Sequence, residues 1–277
     1  MRKVWPFTSY FWTYGAFAAV IPLLVLYYED LGFSGTQIGL LVGLPPIVTL
    51  VAAPLLTNLA DRTGRHLRIW SLSFALVAVL VFALGYADSF PVVLSVLLAI
   101  NVGTAPMAPF VDAAAMHMLG DEKDQYGRVR LGATLGFGLF AVVAGSVADR
   151  YDISAAFTLS AALFVIALLS IQKLEFPAAV PRTESMIAGF GELLRQPMWL
   201  VFLAVSMTIG VGVVLGASFF YPYLEELGVD ESVMGVTLAL GTVAEIPVLI
   251  FGYRFFRLAN PFTLLVVATL VTGARFI

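Results

Sequence analysis

Four ionisable side chains lie deep inside otherwise apolar runs: Asp112 in PFVDAAAMHML, Arg130 in YGRVRLGATLGFGL, Glu245 in ALGTVAEIPVLIF and Arg275 in VTGARF. Asp112 and Arg130 flank a charged turn centred near Asp121, nine residues from each. On two antiparallel helices rising about 1.5 Å per residue, equal spacing places them at similar depth. Glu245 and Arg275 lie 15 residues either side of Asn260, and the same arithmetic places both deeper still. A lone charge in an apolar medium costs several kcal/mol unless it meets a partner or water. A carboxylate in such a site is pushed towards its neutral form by desolvation and towards its charged form by a neighbouring guanidinium, so closing or filling the site can switch its protonation. The chemistry on offer is reversible proton uptake beside fixed cations. The alternative for each pair is structural, a staple between two helices.

These residues need long apolar helices to position them, and the composition supplies them. The 277 residues are 60% hydrophobic and 12% charged, with a mean hydropathy of +0.96, whereas soluble domains are about half apolar and a quarter charged. Runs of roughly 17 to 25 apolar residues read as membrane-spanning helices, because backbone groups in lipid must be satisfied within the helix. The chain predicts nine, near 8–28, 37–58, 68–87, 92–119, 129–149, 154–173, 198–223, 232–254 and 262–277. The opening MRKVWPFTSYFW has a basic tip but no small-residue cleavage site after its apolar run, so it reads as a retained first helix rather than a signal peptide. A net charge of −3 disfavours a nucleic-acid partner, and the absence of cysteine excludes disulfides and thiolate metal sites. The sequence has no metal-ligand cluster, no phosphate-binding glycine loop ending in Lys-Ser or Lys-Thr and no Ser/His/Asp set. An ATP-driven pump or a hydrolase has nothing to work with, and an enzyme is not expected.

Orientation follows from the basic residues. Arg2, Lys3, Arg62, Arg65, Arg68, Lys123, Arg128, Lys173, Arg182, Arg195, Arg254 and Arg257 fall on one side and only Arg150 on the other, so the N-terminus is expected in the cytoplasm. YYEDLGFSGTQIG (27–39) recurs as YLEELGVDESVMG (223–235), with Tyr27, Glu29, Leu31, Gly32 and Gly39 matched 196 residues later. Both copies leave an odd-numbered span on the outer side, as parallel-repeat transporters of two halves do. The expected domains are a six-helix N-terminal half at 1–173, a cytoplasmic linker at 174–196 and a partial C-terminal half at 197–277. On the repeat length about three further helices are expected, making nine spans of twelve.

Two motifs carry a family resemblance. TNLADRTGRHLR, between the second and third spans, resembles the signature loop of the major facilitator superfamily, keeping Asp61, Arg62, Gly64 and Arg65 but with Thr57 for the first Gly and His66 for the last basic residue. YGRVRLGATLGFGL resembles the start of the fifth helix in the subgroup of lactose permeases, nucleoside–proton symporters and phenylpropionate permeases. The resemblance covers essentially the whole chain and implies an all-α polytopic membrane protein of the major facilitator fold.

It also implies roles. The second arginine of the Gly-Arg-x-Arg run, here Arg130, faces the cavity and binds substrate or an acidic partner, for which Asp112 is the natural candidate. The acid on helix 8 and the arginine on helix 9, here Glu245 and Arg275, belong to the proton machinery. The Asp61–Arg65 loop latches the closed cytoplasmic face, and the sugar-stacking Trp of lactose permeases falls on Phe137 while their sugar-binding acid falls on Ala108. Tyr14 and Tyr221, with Trp12 and Tyr223, are further candidates for the cavity wall. The expected function is proton-coupled symport of a small organic solute by alternating access, by a monomer in a plasma membrane such as the bacterial inner membrane. It needs no cofactor beyond a proton gradient. Two alternatives stay open: a proton-driven exporter of lipophilic compounds, and a truncated membrane protein that does not transport.

Overall fold

The computed structural model describes residues 3–177, 191–227, 245–252 and 258–274, together with 241, 243 and 254. The described residues are nearly all helical. Seven stretches among them are long and apolar enough to cross a membrane: Val4–Asp30, Gly35–Thr63, His66–Leu84, Phe90–Leu119, Lys123–Arg150, Ile153–Ile171 and Pro197–Val214. The first six match the expected first six spans to within a few residues. At 1.5 Å per residue the 19-residue stretches reach about 28 Å and the longer ones about 40 Å or more, against about 30 Å of hydrocarbon. The expected eighth span, 232–254, lies mostly outside the described residues, and at the ninth a helix covers Pro261–Ala274.

Local chemistry sets where the helices break. The first span is α1 (Val4–Ala18), a 3-10 turn at Ile21–Leu23 and α2 (Leu24–Asp30), and Pro22 inside that turn cannot donate the backbone bond a continuous helix needs. Gly32 ends the span with φ +71°, and Ser34 with Gln37 forms a capping box that starts α3 (Gly35–Thr63). The first copy of the repeated YYEDLGFSGTQIG segment is thus a helix end, a left-handed glycine turn and a helix start, while its second copy runs mostly outside the described residues. Gly64, at φ +65°, closes α3 and opens α4 (His66–Leu84). The fourth span breaks at Pro106 into α5 (Phe90–Thr104) and α6 (Met107–Leu119). α7 (Tyr126–Arg150) and α8 (Ile153–Ile171) complete the bundle, the latter capped by the Asp152 carboxylate accepting from Ala155 N at 2.7 Å.

The chain divides into two compact units, Met1–Val180 with Thr242–Ile250, and Pro181–Gly241 with Phe251–Ile277. In the first, α1 packs most extensively on α7 and also on α8, α4 packs on α8 and α5, and α3 packs on α5. Gly132 and Gly136 make the α1–α7 contact possible, because a Cβ at either would run into the backbone carbonyl oxygens of Phe7 and Phe11. They form a small-xxx-small pair of the kind that lets membrane helices approach backbone to backbone. Polar bonds add register: Ser160 Oγ donates to the Ala16 carbonyl and Ser154 Oγ to the Gly85 carbonyl, each at 2.7 Å. Tyr10, Trp70, Phe74, Phe110, Phe157 and Phe164 fill the interior. In the second unit the long helix Pro197–Glu226 is followed by Pro261–Ala274, whose start is capped by Asn260 Oδ1 accepting from Thr263 N at 2.8 Å.

Candidate functional site

The site grows from three helices of the first unit. α6 presents Asp112, half-buried, and α7 presents Arg130, exposed to the open space beside α1. Hairpin arithmetic placed these two at equal depth, and the structure puts a phenol between them. Tyr126 Oη donates to Asp112 Oδ1 at 2.9 Å, and Arg130 Nη1 donates to Tyr126 Oη at 3.3 Å. From α1, the fully buried Tyr10 donates to the same Asp112 oxygen and has its hydroxyl 3.4 Å from that of Tyr126. Asp112 is therefore bound by two hydroxyls, and among the described residues it makes no direct ion pair with Arg130. Each phenol has one proton to give, and both can be spent on Asp112 while Tyr126 accepts from Arg130 through its oxygen.

Arg130 turns the rest of its side chain to a cavity of about 140 Å³ lined by Tyr14, Arg130, Ala133, Thr134, Phe137 and Glu245. Four sequence candidates thus share one wall: Tyr14 from α1, Arg130 and Phe137 from α7, and Glu245 from the stretch Thr242–Ile250 of the same unit. Gly127 makes room for that stretch, since a Cβ there would run into the Leu249 carbonyl oxygen. The helix period explains the α7 set, because residues 130, 133, 134 and 137 recur at intervals of three and four and so share one face. The cavity combines a guanidinium, a carboxylate, two hydroxyls and two aromatic faces. That set can hold a small polar solute by charge-assisted hydrogen bonds while stacking on its less polar surface. Trp12 packs instead on Phe11 and Phe140, with ring centroids 5.0 and 5.8 Å away, and Tyr223 is exposed on the helix Pro197–Glu226. Tyr221 belongs to that helix but its side chain, like Arg275 as a whole, lies outside the described residues.

The signature loop has a geometry of its own. Asp61 stands at the end of α3 and Arg65 at the start of α4, with Arg62 and Arg65 both exposed. Gly64 holds the left-handed turn that a residue with a Cβ rarely adopts. The Asp61 Oδ1 lies 2.9 Å from Nε2 of His66. His66 is buried, stacked on Phe176 with ring centroids 4.9 Å apart and edge-on to Phe110 at 5.7 Å. The substitution of His for the last basic residue of the motif thus converts a solvated cation into a ring wedged beneath the segment that leaves α8.

Sequence reasoning missed Tyr10 and Tyr126. Tyr126 had a signal, since it precedes Arg130 by four residues and shares its face. Nothing in the sequence marked Tyr10, whose partner is 102 positions away.

Comparison with known proteins agrees with this architecture. Relatives of similar sequence include the uncharacterized transporter YwbF of Bacillus subtilis, 26% identical over 240 residues that make up 86% of this chain and 60% of that protein. The maltose permease of Geobacillus stearothermophilus is 28% identical over 272 residues, 97% of this chain and 68% of the permease. More distant matches carry the names of a probable 3-phenylpropionic acid transporter and of multidrug resistance protein MdtG. The crystal structure of the nucleoside transporter NupG superposes with a TM-score of 0.72 at 16% identity, covering 92% of this chain and 67% of NupG, which shows the major facilitator fold. The chain spans about 60 to 70% of the length of these proteins. The model of the MFS_1 like family matches residues 7–277, and the chain belongs to that family.

Proposed function

We propose that this chain forms the substrate-binding part of a secondary transporter that couples proton entry to uptake of a small organic solute by alternating access. The observation that carries the reading is the cavity shared by Tyr14, Arg130, Phe137 and Glu245. Arg130 and Glu245 line one small space, so a solute with hydroxyl or carboxylate groups bound there meets both. In this reading Arg130 contacts the solute and Glu245 carries the proton, both within the same small space. Substrate and proton sites thereby share one cavity, which is the arrangement symport uses. Arg275 keeps its proposed role in proton coupling, and Tyr221 its proposed role in substrate binding or gating. Asp112, bound by Tyr10 and Tyr126, acts by fixing Tyr126 and hence the angle at which Arg130 enters the cavity. The loop of Asp61, Arg62, Gly64 and Arg65 is the cytoplasmic latch, with His66 as its hinge pin. The protein works as a monomer in a bacterial inner membrane with its N-terminus in the cytoplasm, driven by the proton gradient without a cofactor.

The test is uptake by the protein reconstituted in liposomes, using radiolabelled maltose, 3-phenylpropionate and uridine with and without an imposed pH gradient. Accumulation of one of them only with the gradient supports the reading. Equal rates and equal final levels in both conditions defeat the coupling. Relatives named as multidrug resistance proteins favour one second reading, proton-driven export of lipophilic compounds. Gradient-driven efflux of a lipophilic dye, with no uptake of the three solutes, would decide for it.

A further inference from the structure

A second cavity, of about 370 Å³, lies away from the first, where the start of α4 meets the end of α8, and is lined by Leu67, Arg68, Ser71, Leu72 and Gln172. Its upper wall is polar: Gln172 Nε2 donates to Ser71 Oγ at 2.9 Å, tying the two helices and leaving the Ser71 proton free to point outward. Arg68 is exposed at the same level. Below it the wall becomes an apolar ladder turned away from the bundle, with Leu72 71%, Leu76 47% and Val79 66% exposed on α4 and Val165 48% and Leu169 68% exposed on α8. The spacing of these residues puts each set on one helix face in line with the cavity. In a bilayer this face meets acyl chains, and Arg68 sits where the headgroups begin.

We propose that this cavity binds the phosphodiester headgroup of an anionic phospholipid in the cytoplasmic leaflet. The Arg68 guanidinium engages the two unesterified phosphate oxygens, Ser71 donates to one of them, and one acyl chain lies along Leu72, Leu76 and Leu169. The continuous apolar ladder selects a lipid over free phosphate, which would leave Leu72 and Leu169 without a partner. Lys173, exposed next to Gln172, adds positive charge at the same level, and Glu175, two residues further on, is the nearest acid in sequence. The proposal rests on the chain spanning a bilayer with its basic loops on one side, and not on what it transports.

The experiment is native mass spectrometry of the purified protein titrated with phosphatidylglycerol or phosphatidylcholine in detergent, where both leaflet orientations are equivalent and transport is not read. Wild-type protein is expected to retain phosphatidylglycerol more strongly than phosphatidylcholine. Arg68→Gln should weaken phosphatidylglycerol retention about fivefold, and Lys123→Gln, which removes the same charge from a loop on the same side, should leave it unchanged. Leu72→Ser should weaken it as well. Equal retention of both lipids, or an equal loss in Lys123→Gln and Arg68→Gln, would overturn the site. Displacement of phosphatidylglycerol by millimolar inorganic phosphate would overturn the lipid and assign the cavity to a free anion.

Discussion

Tyr10→Phe isolates the contact on which the geometry of Arg130 depends. The ring is fully buried, so the substitution removes one oxygen and leaves the packing intact. That oxygen is one of two phenol donors to Asp112 Oδ1, the other being Tyr126 at 2.9 Å. A hydrogen bond to a charged group contributes about 1.5–3 kcal/mol in water-soluble proteins, and interhelical ones in membranes less, so loss of one of two donors should destabilise by about 1–2 kcal/mol. The decisive comparison is a double-mutant cycle. With Asp112→Ala in place the Tyr10 hydroxyl has lost its acceptor, and Tyr10→Phe should then cost close to nothing. Equilibrium unfolding in mixed SDS micelles measures the four free energies, and a coupling of about 1–2 kcal/mol is expected. Additivity within about 0.5 kcal/mol would refute the bond. Tyr126→Phe should cost more than Tyr10→Phe, because it removes both a donor to Asp112 and the acceptor of Arg130. If Asp112 instead touched solute directly, Asp112→Asn would shift apparent substrate affinity with stability unchanged.

Other substitutions test other parts of the account. Gly136→Ala places a methyl group against the Phe11 carbonyl and should destabilise the α1–α7 contact by about 1–3 kcal/mol in the same unfolding assay, whereas Gly145→Ala, which meets open space, should be close to neutral. His66→Phe keeps a ring against Phe176 but removes the partner of Asp61, so labelling of single cysteines placed in the cavity should become faster from the cytoplasmic side. The natural chain has no cysteine to interfere. Glu245→Gln should retain solute exchange across the membrane yet lose accumulation against a gradient, and a variant that still accumulates solute would remove Glu245 from proton coupling.

Much of the fold was legible because lipid imposes one rule on every span. Each backbone donor must find its acceptor inside the helix, so apolar runs of the right length announce themselves; the breaks at Pro22 and Pro106 did not, since Pro45, Pro46 and Pro54 lie inside the unbroken α3. The site was legible where helical period suffices: Arg130 and Phe137 share a face seven residues apart. It was not legible where contacts cross between helices far apart in sequence. Tyr10 meets Asp112 because α1 packs on α6 as well as on α7, and no single stretch encodes that approach. For the same reason Glu245 appears beside Arg130, where hairpin arithmetic could propose only Arg275. Asp61 meets His66 rather than an arginine because the ring can be buried under Phe176, a contact that depends on where the chain runs after α8.

In the proposed cycle Arg130 and Glu245 bring solute and proton into one cavity. The direct measurement is solute accumulation in proteoliposomes at a series of imposed pH gradients, comparing wild type with Arg130→Gln. One pH unit is worth about 1.4 kcal/mol per proton, so one proton per solute predicts about tenfold accumulation per unit for the wild type. Arg130→Gln should abolish that dependence. A wild-type level that does not change with the gradient, or an Arg130→Gln variant that follows it as steeply as wild type, would contradict the account.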